Sequence, residues 1–202
     1  MIHLHHLNRS RSHRILWLLE ELEVAYDVTA YARDPETNLA PDALRAVHPL
    51  GKSPMVEIDG RLVTESAAIV EVLCQRYAPE MIPEVGRDAH ITHLELIHFA
   101  EGSAMTPILL NLYTGRLGEA AAPLQPRIKA ELSSHFSYMD GMLRASGHFV
   151  QDSLSAADIM LSFPAEVAMR MGYAEACPAL ADFVAKMQAR PAYVRATAKG
   201  LG

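Results

Sequence analysis

The chain has 202 residues, half of them hydrophobic, with 21% charged and a net charge of −6. That length supports one large or two small cored domains, and an acidic balance without a long basic run argues against nucleic acid or an anionic membrane surface as partner. No apolar run approaches the roughly 20 residues of a membrane span, and the first seven residues lack a signal-peptide pattern. Cys74 and Cys177 form neither a CxxC nor a metal-type spacing, so a reducing cytoplasm is the expected location and Cys74 reads as an inert core residue.

Residues 2–7 are a short strand, with Ile2, Leu4 and His6 alternating against His3 and His5. His3 and His5 lack further ligands at metal spacing, so no metal is expected. Residues 12–23 follow a helical period through Ile15, Leu16, Leu18, Leu19 and Leu22, with Arg14, Glu20 and Glu21 on the wetter side. A strand over 26–31, a Pro/Asp/Asn-rich loop to Pro41 and a short helix over 42–47 come next.

Residues 48–66, HPLGKSPMVEIDGRLVTES, are the most informative stretch. Two β-type runs, 55–58 and 61–64, flank Asp59-Gly60, a pair that specifies a type I′ hairpin turn because both residues need positive φ. Pro54 enters the first run where no ladder donor is required. A cis Ser53-Pro54 bond there would turn the backbone N–H and C=O of Ser53 outward, able to pair with an extended ligand. Glu65-Ser66 opens an amphipathic helix whose first N–H groups suit a carboxylate, although Ser66 is also explained by plain capping. With Lys52 as a cation, the set fits a ligand with two carboxylates, one ammonium and a peptide-like middle.

The first 77 residues thus read β-α-β-α-β-β-α, a small mixed sheet. Residues 78–86, with two prolines and a glycine, form the linker. Everything beyond is helical in pattern: 88–117, interrupted near Pro107; a helix with Pro123 in its first turn, running to about Arg144; one starting at the capping box Ser155–Asp158; then 178–189 and 191–199. The expected domains are 1–79 and 87–202.

A thioredoxin-like βαβαββα domain carrying Ser53-Pro54 and Glu65-Ser66, followed by an all-α domain with the Ser155–Asp158 box, resembles the cytosolic glutathione S-transferases over nearly the whole chain. The resemblance implies that Ser53 and Pro54 pair with the cysteinyl part of glutathione. It puts Glu65 and Ser66 at the γ-glutamyl end and Lys52 near the glycyl carboxylate. Reduced glutathione is then a co-substrate, no cofactor is tightly bound, and the protein is a homodimer. The loop Asn8-Arg9-Ser10-Arg11-Ser12 contains no cysteine, and His5 and His6 stand where the tyrosine-type branch has its tyrosine, so the serine type is implied. Ser10, with Arg14 four residues on, is the leading thiolate donor. Ser12, otherwise the N-cap of the first helix, and Asn8 are the alternatives, and Arg9 and Arg11 depart from the small or proline residues common there. A small hydrophobic electrophile is expected against the long helices, near Glu101, Met105, Leu109 and Tyr113, which follow one drifting helical face. Met105 and Leu109 are equally explained as core. The implied reaction is conjugation. A weakly catalytic binding protein and a glutathione-dependent isomerase, dehalogenase or peroxidase are the alternatives on this scaffold.

Overall fold

A computed structural model of the chain describes residues 1–199. The chain divides into two compact units, Met1–Met81 with the chain from Gln188 onward, and Ile82–Met187.

In the first unit, β1 (Ile2–Leu7) is one of the two inner strands of a four-stranded sheet ordered β2-β1-β3-β4. It runs parallel to β2 (Tyr26–Tyr31), which it reaches through α1 (Ser12–Glu21), and antiparallel to β3 (Met55–Ile58), with Leu4 opposite Val56. β3 and β4 (Arg61–Val63) form the hairpin, and φ is +52° at Asp59 and +81° at Gly60, as a type I′ turn requires. Asp59 is held from outside as well, accepting from the Met1 ammonium at 2.6 Å and from Arg76 at 2.8 Å. α2 (Ala43–Val47) and α3 (Ser66–Tyr77) complete the thioredoxin-like βαβαββα order, and a 3-10 turn, Pro79–Met81, follows. Among the described residues no three His, Cys, Asp or Glu side chains are grouped to hold a metal ion, and no helix is long and apolar enough to cross a membrane.

α1 departs from the one-sided pattern read in its sequence. Arg14 and Glu20, expected on the wetter side, are buried along with Ile15, Leu16, Trp17, Leu18 and Leu19. Over Trp17, Glu20 and Glu21 the cover is α9 (Pro191–Ala198), which packs within this same compact unit. The contact is polar and well paired. Arg190 grips Glu21 in bidentate fashion at 2.6 and 2.9 Å, the geometry in which an Arg–carboxylate pair is strongest. Glu20 accepts from Arg195 at 2.9 Å, from Lys199 at 2.8 Å and from the Tyr26 hydroxyl. Tyr193 sets its ring edge-on to Trp17, 5.5 Å between centroids.

The second unit contains α4 (Asp88–Gly102), α5 (Met105–Thr114), a 3-10 segment Gly115–Ala121, α6 (Gln125–Met142), α7 (Ala156–Arg170) and α8 (Pro178–Gln188), whose last residue falls to the first unit. The break expected near Pro107 falls at Ser103 and Ala104. Pro107 lacks the N–H that would bond the Ser103 carbonyl, so the ladder fails in the turn before it and Pro107 sits in the first turn of a new helix. α6 likewise starts two residues after Pro123, with Pro126 in its first turn.

The capping box of α7 forms as expected. Asp158, fully buried, accepts from Ser155 N–H and Ser155 Oγ, both at 2.7 Å, and from Phe149 N–H at 2.9 Å, while its own N–H donates to Ser155 Oγ at 3.3 Å. Lys186 Nζ donates to His148 Nε2 at 2.9 Å, which leaves Nδ1 as the protonated nitrogen facing Asp158 at 3.2 Å.

Asp158→Ala strands several buried donors at once and is expected to cost about 3 kcal/mol, read as a lower urea midpoint at unchanged slope. Acid acts on α9. Burial pushes the Glu20 carboxyl up, but hydrogen bonds from Lys199, Tyr26 and Arg195 outweigh it and hold the pKa at about 2, against 4.5 ordinarily. Its contribution is therefore complete above pH 4.5 and lost as pH falls toward 2. Trp17, the single tryptophan, reports that loss by fluorescence, and Glu20→Gln should flatten the pH dependence in this window.

Candidate functional site

The loop between β1 and α1 is built from local side-chain bonds. Asn8 Oδ1 accepts from Arg33 N–H at 2.9 Å, its carbonyl accepts from Arg33 Nε at 3.2 Å, and its N–H donates to the Tyr31 carbonyl at 3.1 Å. Asn8 thus ties the loop to the end of β2. Ser10 is buried, and its Oγ accepts from Ser12 N–H at 3.2 Å and lies 2.8 Å from Ser12 Oγ. Its carbonyl accepts from His13 N–H at 3.2 Å.

Ser12 is not the N-cap that its position suggested. Arg11 is the cap residue, Ser12 is the first residue of α1, and its fully buried hydroxyl turns back to the strand. There it accepts from Leu7 N–H at 3.2 Å and lies 3.1 Å from Leu7 O and 3.0 Å from His6 Nδ1. His6 was not among the residues expected at the site. The signal for it was the strand alternation, which put His6 on the face of β1 shared with Ile2 and Leu4.

The second cluster lies around Pro54. The Ser53-Pro54 peptide bond is cis. Ser53 Oγ donates to the His5 carbonyl at 2.9 Å and accepts from Leu7 N–H at 3.2 Å, continuing the link between β1 and β3 beyond the His5–Met55 pair. Among the described residues, no hydrogen bond takes up the Ser53 backbone N–H or C=O. Lys52 is exposed beside it.

At the head of α3, Glu65 is the cap residue, with φ +67° and ψ 122° and no side-chain capping bond. Ser66 follows as the first helical residue and is buried. Capping therefore does not explain Ser66. What the structure presents is an uncapped helix N-terminus, where amides and dipole favour an anion, preceded by an exposed carboxylate on a strained backbone.

The four helical residues expected for a second ligand do not form one row. Glu101 lies in the last turn of α4, while Met105, Leu109 and Tyr113 lie on α5 beyond the break. Met105 is buried, Leu109 half-buried and Tyr113 exposed, so Leu109 and Tyr113 offer surface to an apolar partner and Met105 serves packing. Neither cysteine belongs to the donor loop. Cys74 is buried in α3, and burial pushes its thiol up to about 12.

Fold and site together define a protein of the class that joins a thioredoxin-like domain to a helical one. A model of the glutathione S-transferase N-terminal domain matches residues 9–76, and a model of the glutathione S-transferase C-terminal domain matches 104–194. Glutathione S-transferase 3 of Schizosaccharomyces pombe is 37% identical over 185 residues, covering 84% of this chain and 75% of the relative. Glutathione S-transferase 1 of Saccharomyces cerevisiae is 26% identical, covering 98% and 95%. Among solved structures, a glutathione S-transferase from Actinobacillus pleuropneumoniae matches with a TM-score of 0.90 at 31% identity, over 98% of this chain and 92% of that one. A sphingomonad glutathione S-transferase complexed with glutathione shares the fold, with a TM-score of 0.79 at 22% identity over 99% of this chain and 100% of that one. The chain belongs to the glutathione S-transferase family.

Glu65 holds a positive φ that residues with a Cβ rarely adopt, and such a backbone costs of order 1–3 kcal/mol. Glu65→Gly is therefore expected to stabilise the fold by about 1 kcal/mol after the added chain entropy of glycine, measured by urea unfolding. A stability equal to or below that of the parent would show the strain to be compensated.

Proposed function

We propose that this chain joins reduced glutathione to small hydrophobic electrophiles, with the Ser10 hydroxyl stabilising the thiolate. The observation that carries the choice of Ser10 over Ser12 is the occupancy of the Ser12 hydroxyl, which is enclosed by Leu7, His6 and Ser10. Asn8, whose side-chain oxygen accepts from Arg33 N–H, keeps an amide NH2 to donate and stays the alternative. Ser10 Oγ accepts from Ser12 N–H, which leaves its own hydrogen as the one the loop can direct to a ligand.

In this reading glutathione lies along the Ser53 backbone as an added strand. Its γ-glutamyl carboxylate meets the N-terminus of α3 at Ser66, its ammonium meets Glu65, and Lys52 faces the glycyl carboxylate. A thiol of pKa about 8.5 is only about 3% ionised at pH 7. Lowering it by about 2 units requires about 2.7 kcal/mol of preference for the anion. A hydrogen bond to a charged group contributes about 1.5–3 kcal/mol, and the start of a helix adds about 0.3–1 kcal/mol, so one hydroxyl beside α1 is of the right order. The thiolate then attacks the electrophilic carbon. A C–S bond forms, the electron pair leaves with the departing group or enters the acceptor, and the thiol proton has already gone to solvent. Homodimerisation and a cytoplasmic location belong to the same proposal. The exposed Ile91 and Leu94 of α4 are compatible with a covered surface.

The test is the ultraviolet absorbance of bound thiolate, titrated with pH. The parent is expected to ionise bound glutathione near pH 6.5, about 2 units below the free thiol. Ser10→Ala should raise that value by about 1–2 units and lower kcat/KM about 10–100-fold. If Ser10→Ala leaves the titration where it was, the donor lies elsewhere. If the parent shows no thiolate at neutral pH, a binding protein on this scaffold is the better reading.

A further inference from the structure

Behind Ser10 stands a short, fully enclosed chain of polar groups. His6 Nδ1 lies 3.0 Å from Ser12 Oγ, which lies 2.8 Å from Ser10 Oγ. His6 and Ser12 are fully buried, and Ser10 is 7% exposed. A serine hydroxyl has one hydrogen to give and two lone pairs to fill, and Ser12 Oγ has four polar neighbours competing for them. Leu7 N–H can only donate and takes one lone pair; Leu7 O can only accept. The two remaining neighbours, His6 Nδ1 and Ser10 Oγ, act in either direction, and the form of His6 decides between them.

If Nδ1 of neutral His6 carries the hydrogen, it fills the second lone pair of Ser12. Ser12 then gives its own hydrogen to Leu7 O or to Ser10. In both cases Ser12 has no lone pair left for Ser10, whose hydrogen must point away from the loop interior. If Nδ1 is bare, Ser12 can donate to it, a lone pair on Ser12 opens, and Ser10 can turn its hydrogen inward, where it is lost to a ligand.

We propose that His6 is a positioning residue: protonated on Nδ1, it saturates Ser12 and so fixes the Ser10 hydroxyl as an outward donor. No proton is transferred along the chain and His6 needs no charge. The inference rests on Ser10 as the thiolate donor and adds what sets the direction of its hydrogen.

Two measurements test it on the full-length protein with glutathione bound. Nitrogen-15 NMR of the His6 ring in the unmutated chain should show Nδ1 protonated and Nε2 not; the opposite tautomer overturns the proposal. In the thiolate titration, His6→Leu is expected to raise the midpoint by about 0.5–1 unit, a threefold to tenfold loss in the ionisation constant and the weight of a neutral hydrogen bond. At about pH 5, where bound glutathione is the thiol in both proteins, its dissociation constant should stay within about twofold, since no binding contact is removed. His6→Asn places an amide N–H near the position of Nδ1 and should recover most of the loss, which a packing defect would not do. A Ser10→Ala shift without a His6→Leu shift removes the role of His6 alone, whereas no shift in Ser10→Ala removes the donor reading beneath it. Should His6→Leu not fold, the tautomer in the unmutated protein decides.

Discussion

The candidate site depends on one backbone donor, the N–H of Leu7 at the end of β1. It is shared between Ser12 Oγ and Ser53 Oγ, each at 3.2 Å. One hydroxyl belongs to the loop that enters α1 and the other to the turn that enters β3, 41 positions apart in the chain. The N–H at the end of β1 finds no backbone carbonyl on the Pro54 side, because Ser53 meets it with its side chain in place of its backbone. That substitution leaves the Ser53 backbone N–H and C=O without a hydrogen bond among the described residues. It also ties this edge to the same strand end that holds Ser12 and, through it, Ser10. In the proposed binding mode, the distance between a sulfur at Ser10 and a peptide along Ser53 is thus set by a few residues of one buried strand, not by flexible loops.

The same economy governs the head of α3. A helix start with a serine or aspartate cap would be more stable by about 1 kcal/mol, but its first amides would be occupied. Here Glu65 takes an unfavourable φ, supplies no capping bond, and stays exposed with Ser66 buried behind it. In the proposed binding mode, strain at this position is the cost of presenting a carboxylate and an open helix N-terminus side by side.

Signals confined to neighbouring residues were legible in the sequence. Asp59-Gly60 can close only one kind of tight hairpin, and Ser155 with Asp158 forms a reciprocal cap over one helical turn. The Ser53-Pro54 pair and the order of strands and helices followed from equally local patterns. What escaped depended on partners far along the chain. Arg14 and Glu20 looked solvated because nothing near them in sequence predicts that α9, some 170 residues later, returns to cover α1. Ser12 and Ser66 looked like caps because both stand at helix starts. Only the strand behind Ser12 and the backbone twist at Glu65 show that capping is not their part. The break before α5 was visible through Pro107 but displaced, since proline disrupts the turn that precedes it.

The return of α9 bears on chemistry as well as stability. α1 carries the donor loop at one end and Glu20 and Glu21 at the other, and α9 holds both ends. Arg190, Arg195 and Lys199 neutralise the two carboxylates, while Thr197 lies 3.2 Å from His13 Nε2 and Tyr193 sets its ring edge-on to His13 at 5.0 Å. His13 in turn donates its backbone N–H to the Ser10 carbonyl. A helix whose own polar side is clamped in this way cannot tilt freely under its first turn. The backbone of the Ser10 loop is therefore held from two sides, by the bond of Ser12 to the end of β1 and by α9 across the outer face of α1.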